Sequence, residues 1–276
     1  MNKWTAIIIF SGIFALQAAQ LKNPDANTLW LENGKKIKSS GKSAFYSWRS
    51  MGMEIRSQAD GKGFSFCAND GKGRKAVTGI KFSPEYPYLT FRITGLDLKN
   101  GYRNWTFVIN GWMSSVQEAS PQKGIYVYDL FQNLPPEAAS NLNRFLTVYL
   151  YNLKMELEYL KLVKNPPYTV KAECADQVIR PGSRVKFTAF LEKEAEDVSL
   201  SLITNGVPRS VKINGELKIQ LKPVDKTLKI WSAEVEIKSI GIKKPLGRHK
   251  LFMKTDILGG DLDEPVWVSL PYKVIP

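Results

Sequence analysis

The stretch that decides the fold is MELEYLKLVKNPPYTVKAE, Met155 to Glu173. Apolar and polar residues alternate up to Val163, Asn165-Pro166-Pro167 interrupts, and alternation resumes at Tyr168. Period-two alternation is the signature of a half-buried strand. Proline cannot donate to a ladder and forces the preceding residue extended, so a Pro-Pro pair ends one strand without opening a helix. It also forms a short, stiff spacer, which marks this point as the domain boundary. Within the first strand Met155, Leu157 and Tyr159 share one face, while Leu160 and Leu162 fall on the other. Either a bulge shifts the phase here or both faces are covered.

The same pattern extends in both directions. GFSFCA, YLTFRITG, WTFVING, GIYVYDL and FLTVYLY precede the stretch, and RVKFTAFL, VSLSLI, IWSAEVEI, HKLFMKT and VWVSLPYKV follow it. Between them stand turn pairs such as Asp60-Gly61, Asp70-Gly71, Asn100-Gly101, Asn205-Gly206 and Asn214-Gly215, whose residues tolerate positive φ. Short strands broken at about ten-residue intervals predict an all-β sandwich architecture. Helical periodicity is confined to PPEAASNLNRFL, where Pro135-Pro136 opens a turn through Leu142.

The first residues carry one lysine, an apolar run from Trp4 to about Ala19, and small residues at Ala15, Ala18 and Ala19. The run is short for a membrane span of roughly 20 residues and fits a secretory leader over residues 1–19. An uncleaved anchor is the alternative. No later segment could span a bilayer, so a secreted, extracytoplasmic protein is expected. The chain carries 39 Lys and Arg against 26 Asp and Glu, a formal charge of +13. Residues 20–165 hold 20 basic and 12 acidic side chains, and residues 166–276 hold 18 and 14. A basic surface attracts polyanions at long range. Outside the cytoplasm that favours an acidic polysaccharide or an anionic cell surface over nucleic acid. Cys67 and Cys174 flank the Pro-Pro break and read as two separate thiols, so hydrophobic cores must supply the stability.

The run Met155–Leu162, after RFLTVYLYN and before a Pro-rich exit, resembles the last strand of galactose-binding-like jelly rolls, the fold of many carbohydrate-binding modules. YPYLTFRITG and KGIYVYDL resemble core strands of the same fold, and the likeness covers roughly residues 30–165. It implies a sandwich of about eight strands with ligands held at a rim or on a concave face. Members of that family often hold a structural calcium through an Asp at the position of Glu158. Here that position is a glutamate, and Glu32 is the acidic residue near the domain start. The second half, with VIRPGSRVKFTAFL and PLGRHKLFMKT, resembles an immunoglobulin-like sandwich, which implies a spacer or accessory module.

Motifs for catalysis are weak. SSGKS at 39–43 lacks the first glycine of a phosphate loop, and GKGRKA at 71–76 has no helix behind it. His249, the sole histidine, stands between two cations, which disfavours the imidazolium a catalytic base must become. Asp129 with Glu137 could be nominated for glycoside hydrolysis, but 26 acidic residues guarantee such pairs by chance. Asp261, Asp263 and Glu264 form an acidic turn without a full ligand set. The aromatics say more. Trp48, Tyr102, Trp105 and Trp112 lie in or beside loops with Tyr46, Arg49, Arg103, Asn104 and Asn110. Sugar recognition needs an apolar platform for the ring and planar donors for hydroxyls. Arginine adds a bidentate grip on a carboxylate or sulfate. The competing role is core packing, above all for Trp105, which alternates with Phe107 and Ile109.

The sequence thus predicts two tandem β-sandwiches after a leader, a jelly roll over residues 20–165 and an immunoglobulin-like sandwich over 166–276. The expected function is non-catalytic carbohydrate binding without a cofactor, through Trp48, Arg49, Tyr102, Arg103, Asn104 and Trp112, with calcium at Glu158 and Glu32 the one candidate metal. A structural protein that binds a cell-surface partner and a hydrolase with an acidic site are the alternatives.

Overall fold

A computed structural model describes residues 28–32, 48–59, 61–81, 83–99, 104–109, 112–118, 121–130, 143–166, 168–204, 210–243, 245, 251–258, 265–270 and 272–276. The expected leader and the expected helical turn near Pro135 lie outside these residues. Among them the regular structure is β-strand, apart from a 3-10 turn at Ala175–Gln177 and a helical residue at Leu130. The protein is all-β, and its strands make layered sandwiches, as the alternation requires.

Two sheets enclose the first core. A five-stranded sheet runs in the order Trp48–Met51, Arg74–Lys81, Asn143–Tyr151, Asn104–Ile109 and Trp112–Glu118. Opposite it lie Gly124–Asp129, Tyr88–Leu98, Leu153–Val163, Phe64–Ala68 and Glu54–Ser57, with Thr28–Glu32 also paired to Leu153–Val163. The chain turns from one sheet into the other at Asn152, which holds φ 55°, a left-handed conformation that asparagine tolerates well. Phe64, Phe66, Phe91, Trp105, Phe107, Leu146, Val148, Met155 and Leu157 fill the space between the sheets. Each such side chain contributes about 1.5–3 kcal/mol by leaving water.

The question raised by Tyr159 and Leu160 is answered by a bulge. Leu157 pairs with Ile93 and Tyr159 with Arg92, so both Thr94 and Glu158 drop out of the ladder. Met155 and Leu157 face the core before the irregularity, and Leu160 and Leu162 face the same core after it. Tyr159 is therefore turned to the outer face, where it is half-buried.

The second core lies between Tyr168–Glu173, Arg184–Leu191, Ile230–Glu236 and Lys222–Pro223 on one side and Asp197–Thr204, Ser210–Ile213 and their neighbours on the other. Asn214 and Gly215, with φ 54° and 88°, close a tight hairpin in which Ile213 and Glu216 exchange backbone hydrogen bonds of 2.9 Å.

The two sandwiches share one sheet. Val266–Leu270 pairs in parallel with Gly124–Asp129, so a single twelve-stranded sheet passes through both halves. Its two faces serve different cores. Tyr126, Tyr128 and Trp267 enter the first core, while Ile125, Val127, Val266 and Val268 enter the second. Glycine at 124 is what permits the approach: it holds φ 132°, and a Cβ there would stand 2.5 Å from the Pro265 carbonyl oxygen. A stacked aromatic column then crosses the junction, from Phe107 to Phe91 (4.6 Å), Tyr126 (4.9 Å) and Trp267 (5.9 Å). The shared sheet, more than the Pro-Pro seam, sets how the halves sit together.

Candidate functional site

Among the described residues, the members of the aromatic constellation expected from the sequence do not come together. Trp48 is 3 % exposed and lies edge-on to Phe66, with ring centroids 5.2 Å apart, so it is a core residue and offers no surface platform. Trp105 is fully buried. The strands that begin at Trp48 and Trp112 are opposite edges of the five-stranded sheet, with three strands between them. At about 4.8 Å per strand they are roughly 19 Å apart. Asn104 pairs with Tyr151 and Trp112 with Ile109, at the two ends of one hairpin and roughly 17 Å apart. Arg49 follows Trp48 in its strand, opposite Val77. Tyr102 and Arg103 lie outside the described residues, as do Tyr46, Asn110, His249 and the acidic turn at 261–264.

The calcium candidate fares no better. Glu158 stands at the bulge, and its Oε2 accepts a hydrogen bond of 2.6 Å from the Arg92 guanidinium. A guanidinium already neutralises the carboxylate that would hold the ion. Glu32 pairs with Leu160 along the neighbouring strand. Among the described residues no group of three Asp, Glu, His or Cys side chains gathers. The described residues around Glu158 and Glu32 do not fit a calcium site.

A different place does gather chemistry. On the outer face of the long sheet, away from the first core, is an open groove of about 550 Å³ lined by Glu54, Arg56, Gln58, Ser65, Cys67, Lys154 and Glu156, with Ser57 and Ala59. Three adjacent strands build it. Cross-strand pairing places Glu54, Cys67 and Lys154 in one row, and Arg56, Ser65 and Glu156 in the next. The middle strand thus contributes a floor of two small side chains. The outer strands contribute walls of long charged ones, whose Cα traces are about 10 Å apart. The alternation that sends Phe64, Phe66, Met155 and Leu157 inward is what turns these residues out.

Each wall neutralises itself. Arg56 is ion-paired with Glu54 on one strand, and Lys154 Nζ lies 2.5 Å from Glu156 Oε1 on the other. The bond to Glu156 raises the Lys154 pKa and keeps its ammonium charged. Glycine at 95 gives the Glu156 carboxylate room, since a Cβ there would collide with it. Partial burial pushes the Cys67 thiol up, and Glu54 pushes it further against the opposing pull of Lys154 and Arg56. Burial and Glu54 thus favour the protonated thiol on the floor. Further along the strand Leu153–Val163 Tyr159 presents its ring, with Lys161 Nζ 4.7 Å from the ring centroid. The sequence left open whether a bulge or two covered faces explains Tyr159, and the bulge is what turns this aromatic out. The phase change between Tyr159 and Leu160 is the signal that could have found it.

No protein-family model and no curated protein sequence matches the chain. Among solved structures it is similar to a DUF4785 family protein from Legionella pneumophila, at 12 % identity and a TM-score of 0.26, over 93 % of this chain and 70 % of that one. It is similar also to the glycoside hydrolase domain of Endo-D from Streptococcus pneumoniae (9 % identity, TM-score 0.26, 82 % of this chain and 35 % of that one). A polysaccharide lyase gives 7 % identity and a TM-score of 0.27, over 81 % of this chain and 35 % of that one. The chain thus spans about a third of the length of the last two. TM-scores this low give these likenesses no weight for function.

Proposed function

We propose that the protein binds a glycan, without cleaving it, in the trough between the Glu54–Arg56 and Lys154–Glu156 walls, and that it does so outside the cytoplasm. The observation that carries this reading is the trough itself: a channel with a small-residue floor, open to solvent and walled by directional hydrogen-bonding groups. A saccharide chain presents hydroxyls that both donate and accept. Carboxylates on Glu54 and Glu156 accept, the Arg56 fork and Lys154 ammonium donate, and the Gln58 amide does both. Tyr159 supplies a ring face further along the sheet, against which the C–H side of a sugar can lie. All but Gln58 stand on paired strands, so the site is held in shape before a ligand arrives. In this reading the first sandwich is a jelly-roll-type binding module and the second, immunoglobulin-type, sandwich is its spacer or docking surface.

Calorimetric titration of the full chain with a panel of oligosaccharides, at low and at physiological salt, tests it. Saturable binding of at least one oligosaccharide is expected, weakened by Arg56→Ala together with Lys154→Ala, with no reducing ends released on prolonged incubation. Absence of binding across the panel at low salt, or release of reducing ends, contradicts it.

A further inference from the structure

The overall charge of +13 suggests an acidic ligand, but the trough does not share that charge. Its lining holds two carboxylates and two cations, which sum to zero. We infer that the trough selects a glycan carrying both ammonium and carboxylate groups over a uniformly acidic one; this rests on the trough being the glycan site.

The signs are laid out as a checkerboard. Glu54 faces Lys154 across the floor in one row, and Arg56 faces Glu156 in the next. Along each wall the sign reverses between rows, which are about 7 Å apart. A polyanion entering this channel finds each cation already bound to a carboxylate of its own wall. It would have to displace those carboxylates and then lie beside them, and like charges at close range in a half-desolvated groove repel. A polycation meets the mirror of the same obstacle. A ligand with both signs exchanges each internal ion pair for a pair with the ligand and leaves no charge opposed. Because each wall's sign reverses from row to row, a chain whose successive residues turn over presents its charges in matching order. Discrimination here comes from repulsion of the wrong ligands as much as from attraction of the right one.

The test is calorimetric titration of the full chain with four oligosaccharides of equal length, at about 0.02 M and about 0.15 M salt. One is neutral, one carries only carboxylates, one only amines, and one both. The mixed ligand is expected to bind about tenfold more tightly than the other three and to weaken little with salt. Tightest binding by the carboxylate-only, amine-only or neutral ligand overturns the inference while leaving the glycan reading intact, and failure of all four overturns both. Glu54→Gln with Glu156→Gln makes the trough cationic on strands whose core faces are untouched. That variant is expected to transfer the preference to the carboxylate-only ligand. An unchanged preference in a variant with native circular dichroism overturns the inference as well.

Discussion

The phenol of Tyr272 shows how one buried group couples pH to stability. It is 6 % exposed and donates its hydroxyl to the Ala172 carbonyl, tying the C-terminal segment to the strand Tyr168–Glu173. Burial, with Cys174 and Glu173 nearby, pushes its pKa up to about 12. An unfolded tyrosine ionises near 10, so the folded state keeps a proton that the unfolded state gives up. The stabilising contribution is whole below about pH 10 and is lost as pH climbs toward about 12, by about 2–3 kcal/mol at most. Urea titrations across that range should show the decline in the native protein and a shallower one in Tyr272→Phe. At neutral pH the variant should cost about 1 kcal/mol, the net value of one hydrogen bond. An equally steep decline in the variant would assign the loss to other groups, Tyr88 and Tyr168 among them, whose pKa values burial also raises.

At the scale of one element, the strand Leu153–Val163 carries an extra residue. Glu158 sits outside the ladder, and only that insertion lets Leu157 and Leu160 face the same core. Deleting Glu158 leaves Leu157 and Leu160 two positions apart, so plain alternation keeps Met155, Leu157, Leu160 and Leu162 on the core and the variant should fold. Deleting Lys161 instead sets Leu160 beside Leu162, turns one of them outward and should prevent folding. Glu158→Ala keeps the residue count and loses a half-exposed ion pair to Arg92, so it should cost under about 1 kcal/mol. Expression as folded protein, followed by thermal melting, separates these variants; failure of the Glu158 deletion to fold would contradict its reading as the bulged residue. This element also marks how far the sequence could be read. The phase change in YLKL announced an irregularity, and the strands and the Asn214-Gly215 turn were legible from local alternation and turn chemistry. Which way Tyr159 points depends on where the extra residue lies, and one position of ambiguity reverses it. The trough was not legible, because its rows join residues 54, 67 and 154 through pairings across about a hundred positions. Trp48 misled for the same reason: its neighbours in the chain are polar, whereas its neighbour in space is Phe66.

Over the whole molecule, two cores share one sheet and exchange residues across it. Trp267 and Ile203 from the second half enter the first core, and Ile125 and Val127 from the first half enter the second. No local pattern announces that Ile125 will pair with Val266, so the sequence suggested separate modules joined by a stiff link. With the junction buried on both faces, neither half can unfold without exposing apolar surface of the other. A single calorimetric transition is expected, and Trp267→Ala should lower it by about 3–5 kcal/mol, the range for a large aromatic removed from a core. Two well-separated transitions would show the halves to be independent. The same rigidity holds the trough's walls in register, which is what the binding reading needs. That reading is tested most directly by filling the channel. Cys67→Trp places a bulky, uncharged side chain on the floor, at a strand position where aromatic residues are well tolerated. Calorimetric titration with the oligosaccharide that the native protein binds best should show affinity reduced about tenfold or more, about 1.4 kcal/mol, while the melting temperature stays within a few degrees. Native affinity in the folded Cys67→Trp variant would place the glycan elsewhere and contradict the account.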